Sequence, residues 1–127
     1  MKRLLLFVLP LLLIVGCSKP INENSLIDRN GVKYQQDSQK PYSGKVFRLY
    51  DTGENKKEGI YKDGIQDGLQ TEWYKNGQKM FEKNYKDGNR DGLWTDWYEN
   101  GQKEYEWNYK DGEKDGLWIY WYENGQK

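Results

Sequence analysis

A block of 24 residues recurs along most of this chain with almost fixed punctuation. Asp67-Gly68-Leu69, Asp91-Gly92-Leu93 and Asp115-Gly116-Leu117 open three copies, and Ser43-Gly44 opens an earlier, more diverged one. Asn76-Gly77-Gln78-Lys79, Asn100-Gly101-Gln102-Lys103 and Asn124-Gly125-Gln126-Lys127 fall in step within them. With a fixed period of this kind each unit packs mainly on its neighbours, so the fold follows from one copy and its stacking.

The punctuation is that of hairpins. Asn-Gly and Asp-Gly pairs tolerate positive φ, which tight turns between antiparallel strands require. Between them, Glu104-Tyr105-Glu106-Trp107-Asn108-Tyr109 alternates polar and aromatic residues with period two, the pattern of a strand with one apolar face. An isolated hairpin is marginal in water, so the units must stack. The expected architecture is all-β: tandem β-hairpin repeats over residues 30–127, forming an elongated single antiparallel sheet of about eight short strands.

The register within a hairpin depends on its loop. A two-residue loop at Asn100-Gly101 sets Trp94 opposite Trp107, Asp96 opposite Tyr105 and Tyr98 opposite Lys103, and gathers Trp94, Tyr98, Tyr105, Trp107 and Tyr109 on one face. We read the loop this way; a three-residue loop with a bulge would instead group Leu93 and Trp97 with Tyr105 and Trp107. Lys127 corresponds to Lys103, so the sequence stops within a copy. Residues 117–123, with Trp118, Ile119 and Trp121, are then expected to form an unpaired edge: either a partner or a second copy completes it, or the sequence is a truncated gene product.

The N-terminal residues read as an export signal. Lys2 and Arg3 precede an apolar run, Leu4 to Val15, that is short for a membrane span. Ile14-Val15-Gly16-Cys17 resembles the bacterial lipobox, which implies a signal peptide over residues 1–16 and lipidation of Cys17. Ser18 rather than Asp after the cysteine goes, in Gram-negative lipoproteins, with the outer membrane. The expected location is therefore the cell envelope, on the periplasmic face of the outer membrane or at the cell surface. Residues 17–29, polar and without period, read as a tether. No second cysteine exists to form a disulfide, so stability comes from packing.

Charge and chemistry exclude several functions. Without Lys2 and Arg3, 18 basic and 20 acidic side chains remain, interleaved, which argues against nucleic acid. The chain has no histidine and no thiol beyond Cys17, so a nucleophile with its base is implausible and no catalytic residue is assigned. Asp111, Glu113 and Asp115 mimic a calcium loop, but the corresponding middle position is Ile65 and Asn89 in earlier copies, and Tyr122 stands where such a loop needs Glu. These aspartates read as turn residues, with neither metal nor cofactor implied.

What remains is aromatic. Trp 6, Tyr 11 and Phe 3 are the main apolar inventory of a chain with few aliphatic side chains beyond its first residues. Rows of Trp and Tyr either pack a thin sheet or offer a platform to a protein or to sugar rings. The candidate platform is Trp94, Tyr98, Tyr105, Trp107, Tyr109, Trp118 and Tyr122, with Ile119 and Trp121 as edge contacts. Lys57, Gly59 and Ile60 make the first copy poorer in aromatics, which puts binding toward the C-terminal half.

The pattern Tyr109-Lys110-Asp111-Gly112 through Asp115-Gly116-Leu117-Trp118 to Trp121-Tyr122 and Asn124-Gly125-Gln126, nearly repeated at 85–102, closely resembles the MORN-repeat variant (membrane occupation and recognition nexus). The resemblance implies hairpin units and a non-enzymatic recognition role; bacterial members are commonly described as antitoxin components of the YwqK type. An exported antitoxin could not meet a cytoplasmic toxin, whereas an immunity-type protein or an envelope scaffold could act where this signal leads. The expected partner is a toxin or envelope protein. The alternative is a glycan- or peptidoglycan-binding lipoprotein that uses the same rings.

Overall fold

The computed structural model describes residues 18–127. Ten strands form one sheet, antiparallel except at its N-terminal edge, and two more form a small separate hairpin. The hairpin is β2 (Leu26–Arg29) with β3 (Val32–Gln35). The repeats supply β4 (Gly44–Leu49), β5 (Asn55–Lys62), the short β6 (Ile65–Gln66), β7 (Gly68–Trp73), β8 (Lys79–Lys86) and β9 (Asn89–Trp97). They continue through β10 (Lys103–Lys110), β11 (Glu113–Lys114) and β12 (Ile119–Tyr120); successive strands pair along the array, β6 and β7 both on β5 and β11 and β12 both on β10.

Each repeat uses two different turns. At Asp63-Gly64, Asp87-Gly88 and Asp111-Gly112 both residues have positive φ, with flanking pairs Lys62↔Ile65, Lys86↔Asn89 and Lys110↔Glu113. These are two-residue loops of the mirror-image type that matches strand twist.

Asn100-Gly101 differs from expectation. Only Gly101 has positive φ, Gly101 N donates to Tyr98 O at 2.9 Å and Tyr98 N to Gln102 O at 2.8 Å, so the loop has three residues and Lys103 pairs with Trp97, not Tyr98. A bulge at Glu104 then restores the two-residue register, and Tyr105↔Asp96 and Trp107↔Trp94 pair as expected. The Asn side chain is used for hydrogen bonding rather than for its backbone. Asn76 Oδ1 accepts from Gln78 N at 3.0 Å while its Nδ2 reaches Glu99 O, one repeat on, at 2.8 Å.

A second bond of the same reach joins the repeats. The hydroxyls of Tyr50, Tyr74 and Tyr98 donate to the carbonyls of Trp73, Trp97 and Trp121 at 2.6, 2.8 and 2.9 Å. At the opposite ends of the strands, Gly64 N, Gly88 N and Gly112 N donate to Tyr42 O, Gln66 O and Arg90 O. Every unit is thus held to its neighbour at both ends as well as along its strands.

The segment expected to be a tether is folded from Ile21 onward. Strand β1 (Ile21–Asn22) lies parallel to β4, with Ile21↔Val46 and Asn22↔Phe47, and covers that edge of the sheet. A 3-10 turn, Glu23–Ser25, follows, and Ile21 and Leu26 pack on the cluster of Tyr42, Val46 and Tyr61. Polarity misled the reading because Glu23 is an interior ligand of charge: its carboxylate meets Lys57 Nζ at 2.6 Å, Arg48 Nε at 3.0 Å and the Tyr61 hydroxyl at 2.8 Å. At the other side of the sheet β12 is the last strand, bonded inward to β10 through Tyr105↔Tyr120 and Glu106↔Ile119. Cys17 and the signal segment lie outside the described residues.

Two outcomes follow for stability. Tyr74→Phe removes one inter-repeat bond and is expected to cost about 1 kcal/mol in urea unfolding; an unchanged midpoint would show that the hydroxyl does not hold the repeats. Burial raises the Glu23 pKa, but the hydrogen bonds from Lys57 and Tyr61 outweigh it and hold the carboxyl below its ordinary 4.5. A carboxyl lowered by folding contributes fully above its unfolded value and loses that contribution as pH falls through the folded one. Glu23→Gln should therefore destabilise the protein at neutral pH by about 2 kcal/mol and flatten the loss of stability below about pH 4.5, checked by denaturation across pH.

Candidate recognition face

The repeat sets three rows of side chains across one face of the sheet. In the first, Val46↔Gly59, Gln70↔Lys83 and Trp94↔Trp107 are cross-strand pairs, and Trp118 closes the row 5.6 Å from Trp107. Val46, Gln70, Trp94 and Trp118 are repeat equivalents, so the same position changes from aliphatic to polar to aromatic along the array. Gly59 is required by this change: a Cβ there would collide with the Gln70 carboxamide, which is folded over it and fully buried.

The second row runs Arg48↔Lys57, Glu72↔Phe81, Asp96↔Tyr105 and then Tyr120. Its N-terminal half is ionic, with Arg48 on Glu23 and on Glu72 at 3.4 Å, and Lys83 crosses to Asp96 at 3.2 Å. Its C-terminal half is aromatic: Tyr105 stacks on Trp107 at 4.8 Å and meets Tyr120 at 5.0 Å, and Tyr120 meets Tyr122 edge-on at 5.1 Å.

The third row, Tyr61, Tyr85 and Tyr109, forms the floor. Tyr85 and Tyr109 flank Trp94 at 5.1 and 5.0 Å, and the Trp94 indole N–H donates to Asn84 O at 2.7 Å, so its one polar atom is satisfied. Cations complete the stack. The Arg90 guanidinium lies 4.8 Å over Trp94 and donates to the Tyr109 hydroxyl at 3.1 Å, and its repeat equivalent Lys114 sits 3.5 Å over Trp118.

These positions sort the expected site residues. Trp94 and Tyr109, 5 % and 6 % exposed, lie beneath the platform and support it rather than offering contact. Tyr98, Tyr105 and Trp107 are half-buried, while Trp118, Tyr122 and the unforeseen Tyr120 are 38, 54 and 40 % exposed. Ile119 and Trp121 do not join them. They alternate onto the opposite face, where Lys103 lies 5.6 Å over Trp121 and Leu69, Leu93 and Leu117 form an exposed line of repeat equivalents. A groove of about 710 Å³ between Pro20, Phe47, Ile60 and Leu69 lies at the N-terminal end of that opposite face, away from the rings. Arg90, Lys114 and Lys83 went unnoticed as ring partners; their place just before or between aromatic repeat positions was the signal. No group of acidic or thiol side chains that could hold a metal occurs among the described residues.

Substitution separates floor from platform. Trp94→Ala should cost about 3–5 kcal/mol as a buried ring is lost, and Trp118→Ala no more than about 1–2 kcal/mol, measured by urea unfolding. Equal costs would mean that both rings are structural to the same degree.

No curated protein and no solved structure matches the chain. Three consecutive copies of the period, residues 66–87, 90–111 and 114–127, match the family model described as MORN repeat variant.

Proposed function

We propose that this protein is a non-enzymatic protein-recognition module of the cell envelope, anchored by lipid on Cys17 and acting as an immunity-type protein or envelope scaffold. The observation that carries the reading is the continuous run of half-buried Tyr105 and Trp107 with exposed Trp118, Tyr120 and Tyr122 on one face at the C-terminal end of the array. Rigid aromatic side chains fixed by neighbouring rings lose little entropy on contact, which is what interface hot spots need. The ionic N-terminal half of the same face has its charges already paired, so it offers less to a partner. The same rings could stack on sugars, and the glycan reading stands as the alternative for that reason.

Capture from envelope extract by the wild-type protein and by a Trp107→Ala, Trp118→Ala variant distinguishes the two. One stoichiometric protein lost in the variant supports recognition of a protein; quenching of Trp fluorescence by small saccharides, with no protein captured, supports the alternative. Cys17→Ser is expected to move the protein from the membrane fraction to the soluble one, and retention in the membrane would contradict anchoring through that residue.

A further inference from the structure

The edge of the aromatic run holds a cavity with a chemistry of its own. Tyr98, Tyr120 and Tyr122 wall an open pocket of about 780 Å³ whose remaining polar groups include Glu104 and Glu123. The walls are fixed in place. The Tyr98 hydroxyl sits 3.1 Å from that of Tyr120 and donates to Trp121 O at 2.9 Å, Tyr120 packs on Tyr105, and Trp121 N donates to Glu104 O at 2.9 Å.

Its charge is one-sided. Neither Glu104 nor Glu123 has a salt-bridge partner among the described residues, although Lys103 adjoins Glu104 and Lys127 follows Glu123 by four residues in sequence. Those lysines turn to the opposite face, Lys103 to Glu106 and Trp121, and Lys127 to Trp121. Burial raises the Glu104 pKa, and the charges of Asp96 and Glu123 raise it further.

The repeat supplies an internal control. Tyr98 and Tyr122 recur as Tyr50 and Tyr74, and the inter-repeat bonds explain Tyr50, Tyr74 and Tyr98. Among the other lining positions Glu104 and Tyr120 diverge, Glu104 corresponding to Lys56 and Met80 and Tyr120 to Arg48, Glu72 and Asp96, whereas Glu123 recurs as Glu99. Packing the array does not require Glu104 or Tyr120, because other copies do without them.

We propose that this tyrosine-walled pocket binds a cationic side chain of the partner, an arginine guanidinium or a lysine ammonium, against ring faces with Glu104 and Glu123 as counter-charges. Ring faces attract cations, and the planar guanidinium suits stacking between them. The proposal rests on the recognition reading above and names the group that the partner presents.

The test is titration of the purified protein with Nα-acetyl-arginine amide and Nα-acetyl-lysine amide, with Nα-acetyl-glutamine amide as the neutral control, followed by NMR of tyrosine ring signals. Saturable shifts at Tyr98, Tyr120 and Tyr122 with the cations alone, weakened on the order of tenfold by Glu104→Gln with Glu123→Gln and by raised salt, are expected. Absence of saturable shifts, an equal response to the neutral amide, or an undiminished response in the double variant would overturn the pocket. Unchanged wild-type ring signals verify that the variant is folded. Failure here is separable from failure of the recognition reading: capture lost on Trp107→Ala, Trp118→Ala but intact in the Glu104, Glu123 variant keeps the platform and rejects the cation.

Discussion

One hydroxyl per repeat holds this structure in register. Tyr50, Tyr74 and Tyr98 each cross to the carbonyl of a tryptophan in the next unit, and Asn76 and Asn100 make a parallel link between successive turns. A thin sheet has no second layer to define how its hairpins align, so register must be set by bonds that reach from one repeat to the next. Slippage by one residue would exchange the two faces. It would carry Trp94 and Tyr109 from the floor of the aromatic stack into solvent.

Because alignment is set at the strand ends, the rows between them are free to vary in chemistry. Val46, Gln70, Trp94 and Trp118 occupy one position in four copies, and the partners across the strand vary with them, Gly59 making room for Gln70 and Trp107 stacking where Lys83 would otherwise extend. The N-terminal end of the row closes on itself through Glu23 and its cations. The C-terminal end leaves rings in solvent. The array is therefore polar in the directional sense: one end is covered by residues 21–26, and the other carries exposed rings.

Much of this was legible in the residues. The period, the all-β hairpin architecture, the pairing of Trp94 with Trp107 and the enrichment of rings toward the C-terminus all follow from spacing and alternation. Two features were not. Asn100-Gly101 looks like a two-residue turn because Asn tolerates positive φ, yet Asn100 keeps negative φ and spends its side chain on Gln102 N and Glu123 O, a contact that no local pattern reports. Residues 21–29 look like a linker because Glu23, Asn24 and Ser25 are polar, yet Glu23 finds its partners on Arg48 and Lys57, far along the chain. In both cases long-range hydrogen bonding decides the outcome. The division of the rings into floor and platform was hidden for a related reason, since burial depends on which neighbours stack over each ring.

The central claim is that the C-terminal aromatic face engages another molecule in the envelope while the opposite face does not. Hydroxyl-radical footprinting read by mass spectrometry, on intact cells and on the purified protein, tests it directly. The account predicts that Trp107, Trp118 and Tyr120 are protected in cells relative to the purified protein, with Leu93, Leu117 and Trp121 unchanged. Protection confined to Leu93, Leu117 and Trp121, or identical footprints in both settings, would contradict it.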